Sequence, residues 1–289
     1  MKTKRLLTRI GFSTAALTIF LLMNVGLANA VLVINKPDFS DVSDLTLNGR
    51  AGTVGNPVFF NGKNVLRLTD STSQGGSAFS TSTISLDSDA SFSTFFEFQL
   101  TDPTGGAADG IVFVVQTVGN NVGGSGGGIG YSGITNSVGV EYDTFDNGSG
   151  NNDPNGNHIG INVGGSFNGP TAIVTSAAMD SGINWFSWVD YNGVTDDLEV
   201  RLSTTNVRPL APILTRNVNL VAELGQTNAF VGFTSGTGSA SNDHDIRQWK
   251  LDNTFNPIQT IPEPGTLVLF CLGLIGIIGY TCRRRKHAE

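Results

Sequence analysis

Oxygen-bearing side chains and one imidazole are concentrated in a single Asn/Asp/Gly-rich loop of this sequence. The side chains that could bind cations are Glu141, Asp143, Asn147, Asp153 and His158. Carboxylate, amide and carbonyl oxygens suit calcium (Ca2+), whereas an imidazole beside shared carboxylates suits manganese (Mn2+) or another transition ion. The loop therefore predicts a site for two cations. An ordinary polar hairpin loop is the alternative, because Asn/Asp/Gly clusters are also common in turns.

Two strands must hold this loop in place. Val138–Tyr142 and Ile159–Val163 each alternate apolar residues with small or polar ones, which is typical of strands. Because residues i and i+2 of a strand face the same way, Glu141 and Asp143 project side by side, and Asp143 is placed to bridge two ions. Phe145 can contribute only its backbone carbonyl oxygen. We therefore expect a hairpin whose tip is a cation site.

The segment resembles the metal-binding loop of the legume (L-type) lectins. It carries Glu-x-Asp-Thr-Phe-x-Asn, then Asp-Pro, then His-Ile-Gly-Ile. The resemblance implies these ligands for a transition ion: Glu141, Asp143, Asp153 and His158. It implies these ligands for calcium: Asp143, Phe145, Asn147 and Asp153. The interval from Asn147 to Asp153 is one residue longer than the family usually shows, within a Gly/Asn-rich run that could absorb it.

Two segments upstream of the loop complete a predicted sugar site. Asp109 precedes the apolar run Ile111–Val115, so its carboxylate lies at a strand end where a ligand can reach it, unless it belongs to a solvated Asp-Gly turn. The resemblance implies a sugar-binding Asp109 after a cis Ala-Asp peptide bond. The glycine run Gly123–Gly133 resembles the family's Gly-rich loop, which implies that a backbone N–H of Gly127 or Gly128 contacts the sugar.

Two residues of the metal loop also belong to the implied sugar site. Asn147 would place its oxygen on calcium and its NH2 group on the sugar, so that the ion holds the amide in place. Phe145 would offer an apolar platform to the sugar, unless it belongs to the core. The loop at 235–245 would shape monosaccharide preference. His244, in that loop, is a weak metal candidate and is expected to be structural.

The composition predicts an all-β protein. The chain has 289 residues with 37 glycines, few charged residues and no long run of helix formers. We expect an antiparallel two-sheet sandwich (jelly roll, concanavalin-like), and the resemblance covers one domain, residues 31–253. The formal net charge is −7 and about half of the 17 basic residues lie at the two ends, which leaves an acidic body without a basic stripe. Nucleic acid is therefore not an expected partner.

Both ends of the chain carry targeting patterns. Residues 1–30 combine a basic start, an apolar stretch and Ala28-Asn29-Ala30, which predicts a helical signal peptide, with a permanent membrane anchor as the alternative. Residues 254–289 contain a linker, Pro262-Glu263-Pro264, an apolar segment at 266–280 and a basic end, so we expect a C-terminal transmembrane helix. Both cysteines lie in this tail, so the body has no disulfide.

The tail resembles the PEP-CTERM sorting signal, with a simple membrane anchor as the alternative. The resemblance implies a Gram-negative bacterium that makes exopolysaccharide, and an exosortase-type processing enzyme as a partner. It also implies export through the inner membrane and transient anchoring in the membrane through residues 266–280. After C-terminal processing the protein would be at the cell surface or extracellular.

Three functions follow from these expectations. The first is a secreted or surface carbohydrate-binding protein that binds glycan in a metal-dependent way, without catalysis, and is linked to exopolysaccharide. The second is a glycoside hydrolase on the same sandwich, although Phe145 and Asp146 stand where an acid catalyst would be. The third is a structural matrix or adhesive protein that does not bind sugar.

Overall fold

The computed structural model describes residues 32–55 and 64–259. The predicted signal peptide (1–30) and the predicted transmembrane segment (266–280) lie outside the described residues. Within the part of the chain that the structure describes, no helix combines the length and the apolar character needed to span a membrane.

The described residues form sixteen strands and one short helix. In chain order the strands are β1 (Leu32–Lys36), β2 (Leu45–Gly49), β3 (Gly52–Gly55), β4 (Asn64–Arg67), β5 (Gly75–Ser80), β6 (Ile84–Ser85), β7 (Phe92–Thr104), β8 (Gly110–Gln116), β9 (Ser137–Asp143), β10 (His158–Val163), β11 (Thr171–Ile173), β12 (Asn184–Asn192), β13 (Asp197–Ser203), β14 (Leu214–Asn217), β15 (Asn228–Gly236) and β16 (Ser241–Asp252). The helix α1 is Leu220–Leu224, and short 3-10 turns occupy Gly126–Gly128 and Ser149–Asn151.

These strands form two antiparallel sheets that pack face to face. Sheet I has the order β14-β13-β12-β7-β16-β4-β3, and β1 pairs with β16. Sheet II has the order β11-β10-β9-β8-β15-β5-β2, and β6 pairs with β15. The prediction of an all-β, antiparallel two-sheet sandwich is confirmed.

The main core lies between the two sheets and is rich in aromatic residues. Phe96 and Phe233 contribute from opposite sheets, with ring centroids 4.9 Å apart, and Trp249 lies 4.9 Å from Phe233. All three side chains are buried. They alternate along their strands with residues that face outward, which is the period-2 pattern that lets each strand bury one face.

A second, smaller apolar cluster holds the glycine-rich segment against the outer face of sheet II. Ile129 and Tyr131, at the end of that segment, are fully buried against Phe79, Val112 and Val114 of the sheet. Burying a side chain of this size stabilises by about 1.5–3 kcal/mol. The glycine segment is therefore fixed by the two large side chains that follow it, although its glycines have no side chains to pack.

The strand β16 connects the two ends of the molecule. Its first residues lie beside the loop that precedes β8, because the Asn242 side chain accepts a hydrogen bond from the Ala108 backbone N–H at 2.9 Å. After β16 the chain turns back over the outer face of sheet I, where Ile258 packs on Phe95, Phe186 and Trp188.

Candidate functional site

The start of β8 brings the predicted sugar-binding aspartate next to the predicted metal loop. Gly110 pairs with Asp143 across β8 and β9. Gly110 has a φ of 127°, and a Cβ at this position would lie 2.2 Å from the Tyr142 carbonyl oxygen. Glycine is required for so close an approach of two backbones. The preceding peptide bond, Ala108–Asp109, is cis, as the resemblance implies.

Asp109 presents a buried carboxylate with unused hydrogen-bonding capacity. The residue is only 3% exposed, and its Oδ2 has no hydrogen-bond partner among the residues that the structure describes. The pKa of the Asp109 carboxyl is raised to about 6, mainly by burial; the backbone N–H of Gly238 opposes the shift, and the negative charge of Asp153 contributes to it. An unpaired buried acceptor costs about 1–3 kcal/mol. A ligand hydroxyl that donates to this oxygen would remove that cost.

Backbone and side-chain hydrogen bonds hold Asp109 from both sides. The Asp109 N–H donates to the Gly236 carbonyl oxygen at 3.2 Å, and the Ser235 hydroxyl donates to the Gly110 carbonyl oxygen at 2.8 Å. On the other side, Asn242 accepts from the Ala108 N–H. The sequence analysis placed Ser235 and Asn242 in a loop at 235–245 and did not identify these contacts, whereas the structure places Ser235 in β15 and Asn242 in β16.

His244 extends this support and does not lie in the metal group. It is buried, and its Nδ1 lies 2.7 Å from the Thr69 hydroxyl, which lies 3.0 Å from the Ser235 hydroxyl. Since Ser235 donates its proton to Gly110, Thr69 must donate to Ser235, and Nδ1 of His244 must donate to Thr69. Burial lowers the pKa of His244 to about 3, so the ring is neutral at physiological pH.

The glycine segment places one of its two candidate residues against Asn147. A Cβ at Gly127 would lie 2.6 Å from Asn147 Nδ2, so the Asn147 amide packs directly on this glycine. A Cβ at Gly128 would instead meet Ser132 at 2.7 Å. Gly127 therefore lies against the Asn147 side chain, whereas the Cβ direction of Gly128 points toward Ser132.

Phe145 and Asn147 are accessible, and their backbone N–H groups are tied to two acidic side chains. The Phe145 N–H donates to Asp143 Oδ1 at 2.7 Å, and the Asn147 N–H donates to Asp153 Oδ2 at 2.7 Å. Asn147 is exposed and Phe145 is half-buried. Phe145 belongs to none of the apolar clusters that the described residues form, so the ring is available at the surface of the site.

Four of the six predicted cation ligands converge at the tip of the β9–β10 hairpin, namely Glu141, Asp143, Asp153 and His158. Asp143, Asp153 and His158 each offer one ligand atom, and these atoms lie within 4.8 Å of one another. His158 pairs with Asp143 across the two strands, and its Nε2 lies 3.4 Å from Glu141 Oε1 and 3.9 Å from an Asp153 oxygen. A Cβ at Gly160 would lie 2.2 Å from Glu141 Oε1, so glycine at this position makes room for the carboxylate.

The electrostatics of this cluster suit a cation. Burial raises the pKa of Asp143 to about 8 against the hydrogen bond from Phe145, and burial also raises the pKa of Asp153. Burial alone would lower the pKa of His158, but the carboxylates of Glu141 and Asp143 raise it more strongly. Carboxylates forced together in this way resist ionisation unless a positive charge joins them.

Two buried polar atoms in the cluster lack partners among the described residues, namely Glu141 Oε2 and His158 Nε2. The other ring nitrogen of His158, Nδ1, lies 2.7 Å from the Asn155 carbonyl oxygen, which requires the proton to be on Nδ1. This leaves the Nε2 lone pair directed at the carboxylates, the arrangement that metal-ligating histidines adopt. The oxygen and nitrogen donors present therefore fit a divalent cation.

Comparison with known proteins agrees with this geometry. A family model for the legume lectin domain matches residues 35–266, and a model for the PEP-CTERM protein-sorting motif matches residues 260–286. The chain belongs to the legume lectin family. It also carries a PEP-CTERM sorting motif, so both predicted resemblances are confirmed.

Individual relatives show where the similarity lies. An L-type lectin-domain containing receptor kinase VIII.1 from Arabidopsis thaliana is 29% identical over 259 residues, which is 86% of this chain and 32% of the kinase. A structure of peanut lectin with a 9mer peptide is 28% identical, with a TM-score of 0.64, over 80% of this chain and 100% of the lectin. Winged bean acidic lectin complexed with methyl-α-D-galactose is 26% identical, with a TM-score of 0.63, over 77% and 98% of the two chains.

The legume lectin family and its structural neighbours point to non-catalytic carbohydrate binding. The chain spans about a third or less of the length of the first receptor kinases that it matches. The similarity to these kinases therefore does not extend to most of their length.

Proposed function

We propose that this protein is an exported lectin that binds glycan non-covalently, without catalysis, at a site stiffened by two cations. The observation that carries the proposal is the pairing of Gly110 with Asp143. It sets the carboxylate of Asp109, whose Oδ2 has no partner among the described residues, beside a cluster of Asp143, Asp153 and His158. An acceptor for sugar hydroxyls and a group of cation ligands then share one small region.

The cation ligands divide into two sets that share two carboxylates. A transition ion such as Mn2+ would be held by Glu141, Asp143, Asp153 and His158. Calcium would be held by Asp143, Phe145 (carbonyl oxygen), Asn147 and Asp153. When bound, the cations supply positive charge that stabilises the ionised carboxylates. The donor types support this division, since the imidazole lies in one set and the other set contains only oxygen ligands.

Residues of this chain would then bind the sugar by hydrogen bonds and by packing. Asp109 accepts from sugar hydroxyls, while the Asn147 NH2 group and a backbone N–H of the glycine segment donate to them. Gly127 is the better candidate than Gly128, since it lies against Asn147. Phe145 offers the face of its half-buried ring to the apolar face of a sugar. The methyl-α-D-galactose complex of winged bean acidic lectin makes galactosides sensible first probes.

The PEP-CTERM motif supports a proposed cellular location for the protein. It indicates export and C-terminal processing by an exosortase-type enzyme. We place the protein in transit through the inner membrane of a Gram-negative bacterium, briefly anchored through residues 266–280, and then at the cell surface or outside the cell. Exopolysaccharide is the glycan that this location would offer.

A glycan array of the purified mature domain tests the proposal. We expect binding with Ca2+ and Mn2+ present, loss of binding in EDTA, and loss on Asp109→Asn. Asp87→Asn, a change at an exposed carboxylate outside the site, is the matched control and should bind as the wild type does. Full glycan binding in EDTA, or by Asp109→Asn, would refute the proposal.

A structural protein that does not bind sugar is the second candidate. The observation that favours it is the extra residue between Asn147 and Asp153, where the chain forms the 3-10 turn Ser149–Asn151. Metal analysis of the purified domain separates the two, because a metal-free protein after dialysis against Ca2+ and Mn2+ would support the structural role. The hydrolase is not proposed, because Asp146 is exposed and accepts a hydrogen bond from the Gly148 N–H at 2.8 Å.

A further inference from the structure

A hollow lies on the other side of the glycine segment from Asp109. Its volume is about 370 Å3, within the range of pockets that bind small molecules, which is roughly 300–1,000 Å3. One wall is formed by the ends of β2, an edge strand of sheet II, and of its neighbour β5, and the facing wall is formed by residues 121–125. No residue of the metal loop contributes to its lining.

The lining determines the kind of molecule that fits. Ten of its eleven residues are Gly, Ser or Asn, the remaining residue is Val122, and none is charged. The lining has no Arg or Lys side chain that would neutralise the charge of a phosphate or carboxylate group. Hydroxyl, amide and exposed backbone groups instead match a neutral ligand with many hydroxyls. A saccharide unit has that chemistry.

The walls of the hollow are pre-formed, because short contacts fix the loop against the sheet. A Cβ at Gly75 would lie 2.2 Å from the Gly124 carbonyl oxygen, so the loop backbone lies directly on the strand. The Asn48 side chain donates to the Asn120 carbonyl oxygen at 2.8 Å, and the Ser77 hydroxyl donates to that of Val122. A ligand would therefore meet an ordered surface and would lose little affinity to ordering the loop.

The hollow adjoins the proposed sugar site through a shared wall. The segment Gly123–Gly128 lines the hollow at its start and reaches Asn147 at Gly127. Ser73, at the rim of the hollow, donates its N–H to the Gly238 carbonyl oxygen at 2.8 Å. A Cβ at Gly238 would lie only 3.8 Å from Asp109 Oδ2 and 4.0 Å from the Gly126 Cα. One thin strip of glycine backbone thus separates the hollow from the Asp109 carboxylate.

We propose that this hollow is a second saccharide subsite, so that the protein binds several consecutive sugars of one glycan chain across the glycine segment. The inference rests on the proposed function and deepens it, because it assigns an oligosaccharide, rather than a single terminal sugar, as the ligand. Each sugar unit in its own hollow adds contacts without a second loss of overall rotation and translation.

Isothermal titration calorimetry with four probes tests the inference. The probes are methyl α-D-galactoside, methyl α-D-mannoside, galactotriose and mannotriose, each in Ca2+ and Mn2+. We expect the wild type to bind one trisaccharide at least about tenfold more tightly than the matching methyl glycoside. Asn121→Trp and Gly124→Phe should each remove this advantage and leave the affinity for the methyl glycoside unchanged.

Both substitutions suit the backbone. Asn121 is exposed, and Gly124 has a φ outside the left-handed region and no atom within 4 Å of an added Cβ. Having two variants keeps the test decisive if one of them fails to fold. Val118→Trp is the matched control, because Val118 lies on the same loop, is 51% exposed and does not line the hollow. It should bind all four probes as the wild type does.

Two outcomes overturn the subsite. One is equal affinity of the wild type for a methyl glycoside and its trisaccharide. The other is a trisaccharide advantage that survives both Asn121→Trp and Gly124→Phe. Failure of the proposed function looks different: the wild type then binds none of the four probes and no glycan on the array, and the subsite falls with it.

Discussion

The contact between Gly127 and Asn147 leads to a quantitative prediction for Gly127→Ala. The φ of Gly127 lies outside the left-handed region, so alanine fits the backbone. Its Cβ, however, would lie 2.6 Å from Asn147 Nδ2 and 2.9 Å from Asn147 Cγ and Oδ1. Atoms at rest are separated by about 3.5–4.0 Å, so the amide must move by about 0.9 Å or more.

This displacement of the Asn147 amide should weaken sugar binding while leaving the stability of the fold nearly unchanged. Asn147 is exposed, so its side chain can move at little cost, and the unfolding free energy should change by no more than about 0.5 kcal/mol. A binding group must be held within about 0.5 Å of its productive position. We therefore expect sugar affinity to fall by about ten- to a hundredfold, equivalent to roughly 1.4–2.8 kcal/mol. Calcium affinity should fall with it.

Calorimetric titration with methyl α-D-galactoside and methyl α-D-mannoside, together with thermal melting, measures both quantities. Gly150→Ala is the control, because Gly150 lies in the same metal loop, has no left-handed φ and has no atom within 4 Å of an added Cβ. Wild-type affinity in Gly127→Ala would show that this contact is not part of the sugar site. An equal loss in Gly150→Ala would show that any change in these loops weakens binding, and the reasoning from Asn147 would be wrong.

Two further predictions concern the cation cluster. The pKa of Asp143 is about 8 in the folded protein, compared with the usual 3.8. The protonated carboxyl therefore favours the folded state fully below the unfolded-state pKa, and this stabilisation is lost as the pH rises through the folded-state pKa. His158, with a raised pKa, acts in the same direction. Chelator-treated protein should therefore melt at a lower temperature at about pH 8 than at about pH 5. Added Ca2+ and Mn2+ should raise the melting temperature most at the higher pH. A melting temperature that rises with pH in EDTA would contradict this prediction. Gly160→Ala would place a Cβ 2.2 Å from Glu141 Oε1 and so displace this carboxylate. Elemental analysis of the variant should then find less bound transition ion but near-normal calcium. An unchanged transition-ion content would exclude Glu141 as a ligand.

Much of the cation cluster could be predicted from the sequence, because its ligands are local. Alternation of apolar residues predicted the strands Val138–Tyr142 and Ile159–Val163, and the structure has β9 at Ser137–Asp143 and β10 at His158–Val163. An antiparallel hairpin of this register brings His158 opposite Asp143. The spacing of these residues along the chain was therefore enough to predict most of the cation cluster.

The register of the glycine segment could not be predicted in the same way. Consecutive glycines have no pattern of side chains, so Gly127 and Gly128 were equivalent candidates. The position of the segment is decided by Ile129 and Tyr131, which are buried against sheet II. That packing depends on residues from β5 and β8, which lie outside the glycine segment, and the spacing of residues within the segment does not predict it.

The support beneath Asp109 is also a long-range feature. The Asn242 side chain meets the Ala108 N–H across more than a hundred residues, because β16, which carries Asn242, pairs with β7 in sheet I. A polar loop of Ser, Asn and Asp residues gives no indication of which member will be buried. Only the folded sheets assign these contacts.

The long strand β16 separates the Asp109 end of the molecule from the end at which the chain leaves the sandwich. Phe95, which holds Ile258 on the outer face of sheet I, pairs with Lys250, nine residues along β16 from Ser241. At about 3.3 Å per residue this is roughly 30 Å. The chain therefore leaves toward its sorting motif from the pole opposite Asp109. Under the proposed function, a protein tethered by that tail would hold Asp109 on the side away from the tether, facing the polymer strands outside the cell.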